Sequence, residues 1–202
     1  MTGPLDLVRR MLYKGAQWGD NAAPTITHPH IENHIGKAFR SGYLITGVAD
    51  SGQFNLLMWN PSGTPGKEMH ATFELELGGL GYAFIYEGTT VFTTGTVQEK
   101  ARLNRVRERE GVRDPTSWMF AGDATIDELG TQLGPGILIP GSQAATPNAG
   151  VVSGNTKGGF EWVLDPASAY LIVVINLSGS TVYGSITDEW YEESQDDFGP
   201  AP

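Results

Sequence analysis

Tyr82–Arg105, YAFIYEGTTVFTTGTVQEKARLNR, opens with a short aromatic and β-branched run ending at Glu87-Gly88, continues with a Thr-rich run and turns at Gly95-Thr96. It then becomes Arg-rich and strongly charged. Strand, turn, strand and charged loop is how an antiparallel β protein displays a loop for contact. Upstream, EMHATFELELGG alternates, with Met69, Ala71, Phe73, Leu75 and Leu77 on one face and His70, Thr72, Glu74 and Glu76 on the other, which predicts a half-buried strand. SGYLITGVAD and QFNLLMWN read as strands joined in a hairpin at Asp50-Ser51-Gly52. Downstream, SWMFAGDATIDELGTQLG is a weaker β region, and Pro135–Gly159 reads as loop. Strands are predicted at Phe160–Leu164, Tyr170–Asn176 and Thr181–Asp188. A count of about eight strands with long loops predicts an all-β, jelly-roll-like β-sandwich.

The sandwich is expected over residues 30–188, preceded by an arm at 1–29 and followed by an acidic, mobile tail at 189–202. Within the arm, residues 5–14 form a short helix with Leu5, Val8 and Leu12 on one face, and residues 15–29 are extended. Such a helix is too short to stand alone, so it docks on something. It is either an arm reaching a neighbouring subunit, with Leu5, Val8, Arg9, Leu12 and Trp18 as its contacts, or a lead-in packed on its own domain.

The chain has 202 residues and no cysteine, which removes thiolate catalysis, Cys-based zinc sites and iron–sulfur clusters. The N-terminus lacks the apolar core of a signal peptide, and no apolar run approaches the roughly 18–20 residues of a membrane span. A soluble protein made in a cytoplasm, with no membrane partner, is expected. Net charge is −10, and the bases cluster at Lys100, Arg102, Arg105, Arg107, Arg109 and Arg113; beyond Arg113 the only base is Lys157. That polarity opposes nucleic-acid binding and favours a charged partner or a second copy of the chain.

Residues 98–113 read either as a helix laced with ion pairs or as a long exposed loop. In functional terms Arg102, Arg105, Arg107, Arg109 and Arg113 form a subunit-interface loop; the plainer reading is a solvated loop balanced by Glu99, Glu108, Glu110 and Asp114. His28, His30 and His34, with Glu32 between, have donors for a metal, but no second His-containing motif accompanies them, so surface or interface histidines are expected. Glu74 and Glu76 belong to the polar face of a strand, not to a glycosidase pair. No nucleophile elbow or phosphate loop is present, so no catalytic residue, metal or cofactor is expected.

Three blocks resemble a group of tailed-phage virion proteins. His30–Phe39 (HIENHIGKAF) is similar to an H-x-x-x-H-x-G-x-x-F opening. Tyr86-Glu87-Gly88-Thr89, Gly95-Thr96 and Asn104-Arg105 resemble a middle block, and Leu164-Asp165-Pro166, Tyr170-Leu171 and Asn176 a closing one. The Arg-rich loop departs from the Asn/Ser-rich loop expected there. The resemblance implies a non-enzymatic jelly-roll capsid decoration (cement) protein, assembled in the host cytoplasm. It would sit as a homotrimer on the capsid exterior, with the major capsid protein as partner. The alternatives are a head-fibre or tail component binding host carbohydrate and, further off, a cupin-like metalloenzyme.

Overall fold

The computed structural model describes residues 37–60, 67–103, 118–141, 154–155 and 162–194. Among them there is no helix. One sheet sets β1 (Ala38–Val48), β15 (Val182–Ser194) and β3 (Lys67–Leu77) side by side, antiparallel. The other sets β2 (Gln53–Trp59), β14 (Ala169–Asn176) and β4 (Gly81–Glu87) in the matching order. The first sheet extends beyond β3 through β12 (Gly154–Asn155) and β13 (Trp162–Leu164), and the second beyond β4 through β10 (Thr131–Gln132) and β11 (Ile137–Ile139). Counting β10/β11 and β12/β13 as one interrupted strand each, and setting aside the short strands at residues 96–97, 101–102 and 119–122 added at the β1 and β2 edges, gives two four-stranded sheets whose successive strands alternate in the manner of a jelly roll.

This order corrects the expected hairpin at Asp50-Ser51-Gly52. β1 pairs with β15 and β2 with β14, so the turn carries the chain from one sheet to the other. Ser51 adopts φ 59° there, and its N–H donates to Asn176 O at 2.8 Å. Two further expectations change. The segment read as loop contains β11 and β12, and β15 runs six residues beyond Asp188, so 189–194 lie in a central strand.

The alternation of β3 appears as read: Met69, Ala71, Phe73, Leu75 and Leu77 are buried, and the even-numbered residues face outward. They meet Phe54, Leu56, Met58, Ile85, Ile172 and Val174 of the opposite sheet in one core. β14 is apolar without alternation because both of its faces are covered, as central strands between two layers require. Tyr170, Ile172 and Val174 enter the main core, while Leu171 and Val173 enter a second cluster on the outer side of the sheet.

The described parts of the insertion between β4 and β10, residues 88–103 and 118–130, supply the cover of that second cluster. β5 (Thr90–Thr93) and β9 (Thr125–Glu128) form a two-stranded ribbon, whose Val91 and Ile126 pack over Leu57, Leu171 and Val173. Full burial contributes about 1.5–3 kcal/mol for each of Leu57, Leu171 and Val173, and the partly buried Val91 and Ile126 contribute less. β8 (Met119–Gly122) pairs with β2, β6 (Thr96–Val97) pairs with β8, and β7 (Ala101–Arg102) pairs with β1. The insertion thus clasps the same edge of both sheets. Ala101–Arg102, read as helix or loop, is strand because the open edge of β1 offers its backbone a ladder.

Gly95 is required by this clasp. Its φ is +77°, and a Cβ there would collide with the Gly122 carbonyl and stand 2.8 Å from Ala124 N. Gly88, at φ +73°, has open space where its Cβ would be. Gly95→Ala is therefore expected to cost about 2–4 kcal/mol of folding stability, and Gly88→Ala only about 1 kcal/mol. Urea titration of the two variants checks the contrast, which equal losses would refute.

Candidate interaction surfaces

The outer faces of the two sheets differ in chemistry. Outward from the first sheet point Glu68, His70, Thr72, Glu74 and Glu76 of β3, and Ser185, Thr187 and Glu189 of β15. Arg40 of β1 lies opposite Glu189, with 3.8 Å between the charged atoms. Both side chains are about half exposed, so the pair adds at most about 1 kcal/mol. A shallow depression lined by Thr72, Glu74, Thr187 and Glu189 lies on this face. Leu44 and Tyr183 are its most exposed apolar side chains, at 74% and 66%.

The second sheet presents Gln53, Asn55, Leu57 and Trp59 of β2, Leu171, Val173 and Ile175 of β14, Tyr82, Phe84 and Tyr86 of β4, and Gln132 and Leu138 at its margin. None of these side chains is charged. The only carboxylate on its strands, Glu87, is turned inward and accepts a hydrogen bond from the Tyr170 hydroxyl at 2.7 Å. The ribbon covers one end of this face. At the other end Tyr82, Leu138 and Leu177 remain 38%, 52% and 41% exposed.

The residues of the middle and closing blocks hold the sandwich together. Tyr170 Oη donates to Glu87 and accepts from Asp165 N–H at 3.0 Å, which ties the Leu164-Asp165-Pro166 turn to the end of β4. Burial, and then the Glu87 hydrogen bond, push this phenol well above its ordinary range. The Thr89 hydroxyl donates to Leu129 O at 2.6 Å and closes the insertion at its base. Asn176 is fully buried; its side-chain amide donates to Val48 O and Ser180 O, and its Oδ1 accepts Ser178 N–H. It joins the β1–β2 turn to the β14–β15 turn. The roles of these side chains are architectural.

Leu5, Val8, Arg9, Leu12, Trp18, His28, His30, His34, Arg105, Arg107, Arg109 and Arg113 lie outside the described residues. Of the arginine set only Arg102 is placed, with its backbone paired to Phe39 in β7. His70 stacks on Tyr191 with ring centroids 4.6 Å apart, and its Nε2 lies 3.7 Å from the Glu193 carboxylate and 4.0 Å from that of Glu68. Among the described residues no group of three or more His, Asp or Glu side chains is arranged to hold a metal ion.

Sequence reading missed a set of interior charges. Asp188 and Glu192 occupy alternate positions of β15 beside Trp190 and point into the sandwich, 1% and 3% exposed. Glu192 Oε2 pairs with Lys67 Nζ at 3.2 Å. Lys100, in the insertion, donates to Trp118 O; burial lowers its pKa, and the charge of Glu192 opposes that shift. Asp188 Oδ2 has no hydrogen-bond partner among the described residues. Desolvation raises its carboxyl to about 7, against its own backbone N–H and Arg40, which lower it; Glu189 raises it further. The signal was legible only as two acids four residues apart, Asp188 and Glu192, sharing the side of the strand that carries Ile186 and Trp190.

Comparison of the chain with known protein families, curated proteins and solved structures returns no match.

Proposed function

We propose that this chain is a non-enzymatic structural protein of a phage virion: a capsid decoration protein that sits on the shell as a homotrimer, with the major capsid protein as its partner. The observation that carries this reading is the two-faced jelly roll. The strands of its two sheets turn outward one acidic face and one uncharged, partly apolar face, suited to contact with other proteins. The middle and closing sequence blocks support it through the fold, since Glu87, Thr89, Gly95 and Asn176 are what the jelly roll and its clasp are built on. Shell stabilisation then arises from many copies, each burying a moderate area, with exposed ion pairs adding little.

The test is the location and copy number of the protein in intact particles, by quantitative mass spectrometry and by cryo-electron microscopy with an affinity label. A fixed stoichiometry on the capsid exterior is expected. Absence from purified particles would overturn the reading. Deleting residues 1–29 is expected to abolish attachment while leaving the cooperative thermal transition of the sandwich in place. Unchanged attachment would remove the arm from the account.

A further inference from the structure

We infer that the end of the second sheet's outer face left uncovered by the insertion is the surface through which one copy of this chain meets another. The inference rests on the virion reading only for its setting, since its argument is local. Leu138 of β11 pairs with Tyr82 of β4, and Tyr82 pairs with Ile175 of β14, so the three form one row across the face. Phe84 lies one position along the same side, its ring centroid 6.3 Å from that of Tyr82. Leu177 continues the ladder, donating its N–H to Leu80 O at 2.8 Å. The insertion buries the other end of the same face under Val91 and Ile126, so this fold already covers apolar sheet surface with apolar sheet surface. At the open end no described element covers Tyr82, Leu138 and Leu177, which are exposed, while Phe84 and Ile175 beside them are partly buried.

Charge selects the occupant. The chain carries 23 acidic and 13 basic residues, so two copies repel wherever their acidic faces approach. The first sheet's outer face bears Glu68, Glu74, Glu76 and Glu189 against Arg40 and brings like charges together in any self-contact. The outward side chains of β2, β4 and β14 are all uncharged, and the carboxylates of Asp127 and Glu128 stand on the ribbon at the other end, so copies meeting at the open end bury no unpaired charge from these strands. A basic or acidic partner gains nothing on it. The polar groups of the open row are their own complement: the Gln53 amide and the Tyr82 hydroxyl both donate and accept, so the same pair on a second copy satisfies them.

The experiment uses the full-length chain. Sedimentation velocity over a range of loading concentrations is expected to show a self-associating species. Tyr82→Lys and Leu138→Lys are expected to weaken association by about tenfold or more each, because a cation must then be buried against an apolar neighbour. Leu44→Lys and Tyr183→Lys on the acidic face are expected to leave it unchanged. Circular dichroism and thermal melting check that each variant folds. A second measurement does not depend on the lysine variants. The chain has no cysteine, so Leu138→Cys supplies a single thiol, and copper-catalysed oxidation by dioxygen is expected to link copies in high yield. Leu44→Cys is expected to link few. A wild-type monomer at every concentration, or equal cross-linking at Leu138 and Leu44, would overturn the inference. An oligomer indifferent to the lysine variants would remove this surface and leave the virion reading intact. Association through this face by a protein absent from particles would do the reverse.

Discussion

Asp188→Asn is expected to abolish most of a stability loss that the wild-type protein shows as pH rises from about 4 to about 7. Asp188 is 1% exposed, lies between Ile186 and Trp190 on the inner side of β15, and faces Ser41 and Phe73 on the neighbouring strands. Its folded-state value of about 7 stands above the ordinary 3.8, so folding takes up a proton between those limits. The neutral form is the one the interior favours. The contribution is therefore fully present below about pH 4, is lost as pH rises to about 7, and stays lost above. Displacement from 3.8 to about 7 corresponds to at most about 4 kcal/mol, and local relaxation reduces that toward about 2. An Asn of the same shape carries no ionisation cost, so the stability difference between variant and wild type grows in the variant's favour from pH 5 to pH 8. Urea denaturation at a series of pH values measures this. The difference curve cancels the other acids, and any constant offset from the new amide leaves its slope untouched. A flat difference curve would show that the carboxyl is reached by water.

Trp190→Ala is expected to lower stability by about 3–5 kcal/mol, with the urea midpoint falling at nearly constant slope. The indole is 2% exposed and stands 5.6 Å from the ring of Phe39 on β1 and 4.9 Å from that of Phe120 on β8. It is thus the joint between the first sheet and the inserted clasp. Truncation leaves a cavity walled by strands held in ladders on both sides, which limits collapse. Hydrogen exchange in β7 and β8 should rise more than in β14, which is held on both flanks by β2 and β4. Leu44→Ala, at a site 74% exposed, serves as the control and should change stability by less than about 0.5 kcal/mol. A loss of under about 1 kcal/mol at Trp190 would mean the clasp is not fastened there.

These two residues also mark where sequence reading stops. Asp188 reads as the last residue of a strand and Glu192 as part of an acidic tail, because acids near the end of a chain are ordinarily solvated. Their burial follows from β15 being central, flanked by β1 and β3, and a strand's position in a sheet is a property of distant pairing. The supposed hairpin at Asp50-Ser51-Gly52 failed for the same reason. A tight turn between two apolar strands looks alike whether the strands pair or separate into two layers, and only β15 and β14, more than a hundred residues away, distinguish the cases.

Local order was enough for β3, whose two-residue alternation names both its faces, and for β14, whose unbroken apolar run belongs to a strand covered on both sides. It was enough for Gly95, because a turn between Thr-rich runs needs a residue without a side chain. Side-chain period and backbone sterics act over a few residues, so a one-dimensional string carries them in full. The jelly-roll order, the clasp made by residues 88–103 and 118–130, the interior acids and the contrast between an acidic and an uncharged sheet face arise from contacts between residues far apart in the chain. Those contacts are chosen by the mutual burial of whole sheets, an energy that no short stretch of the chain contains.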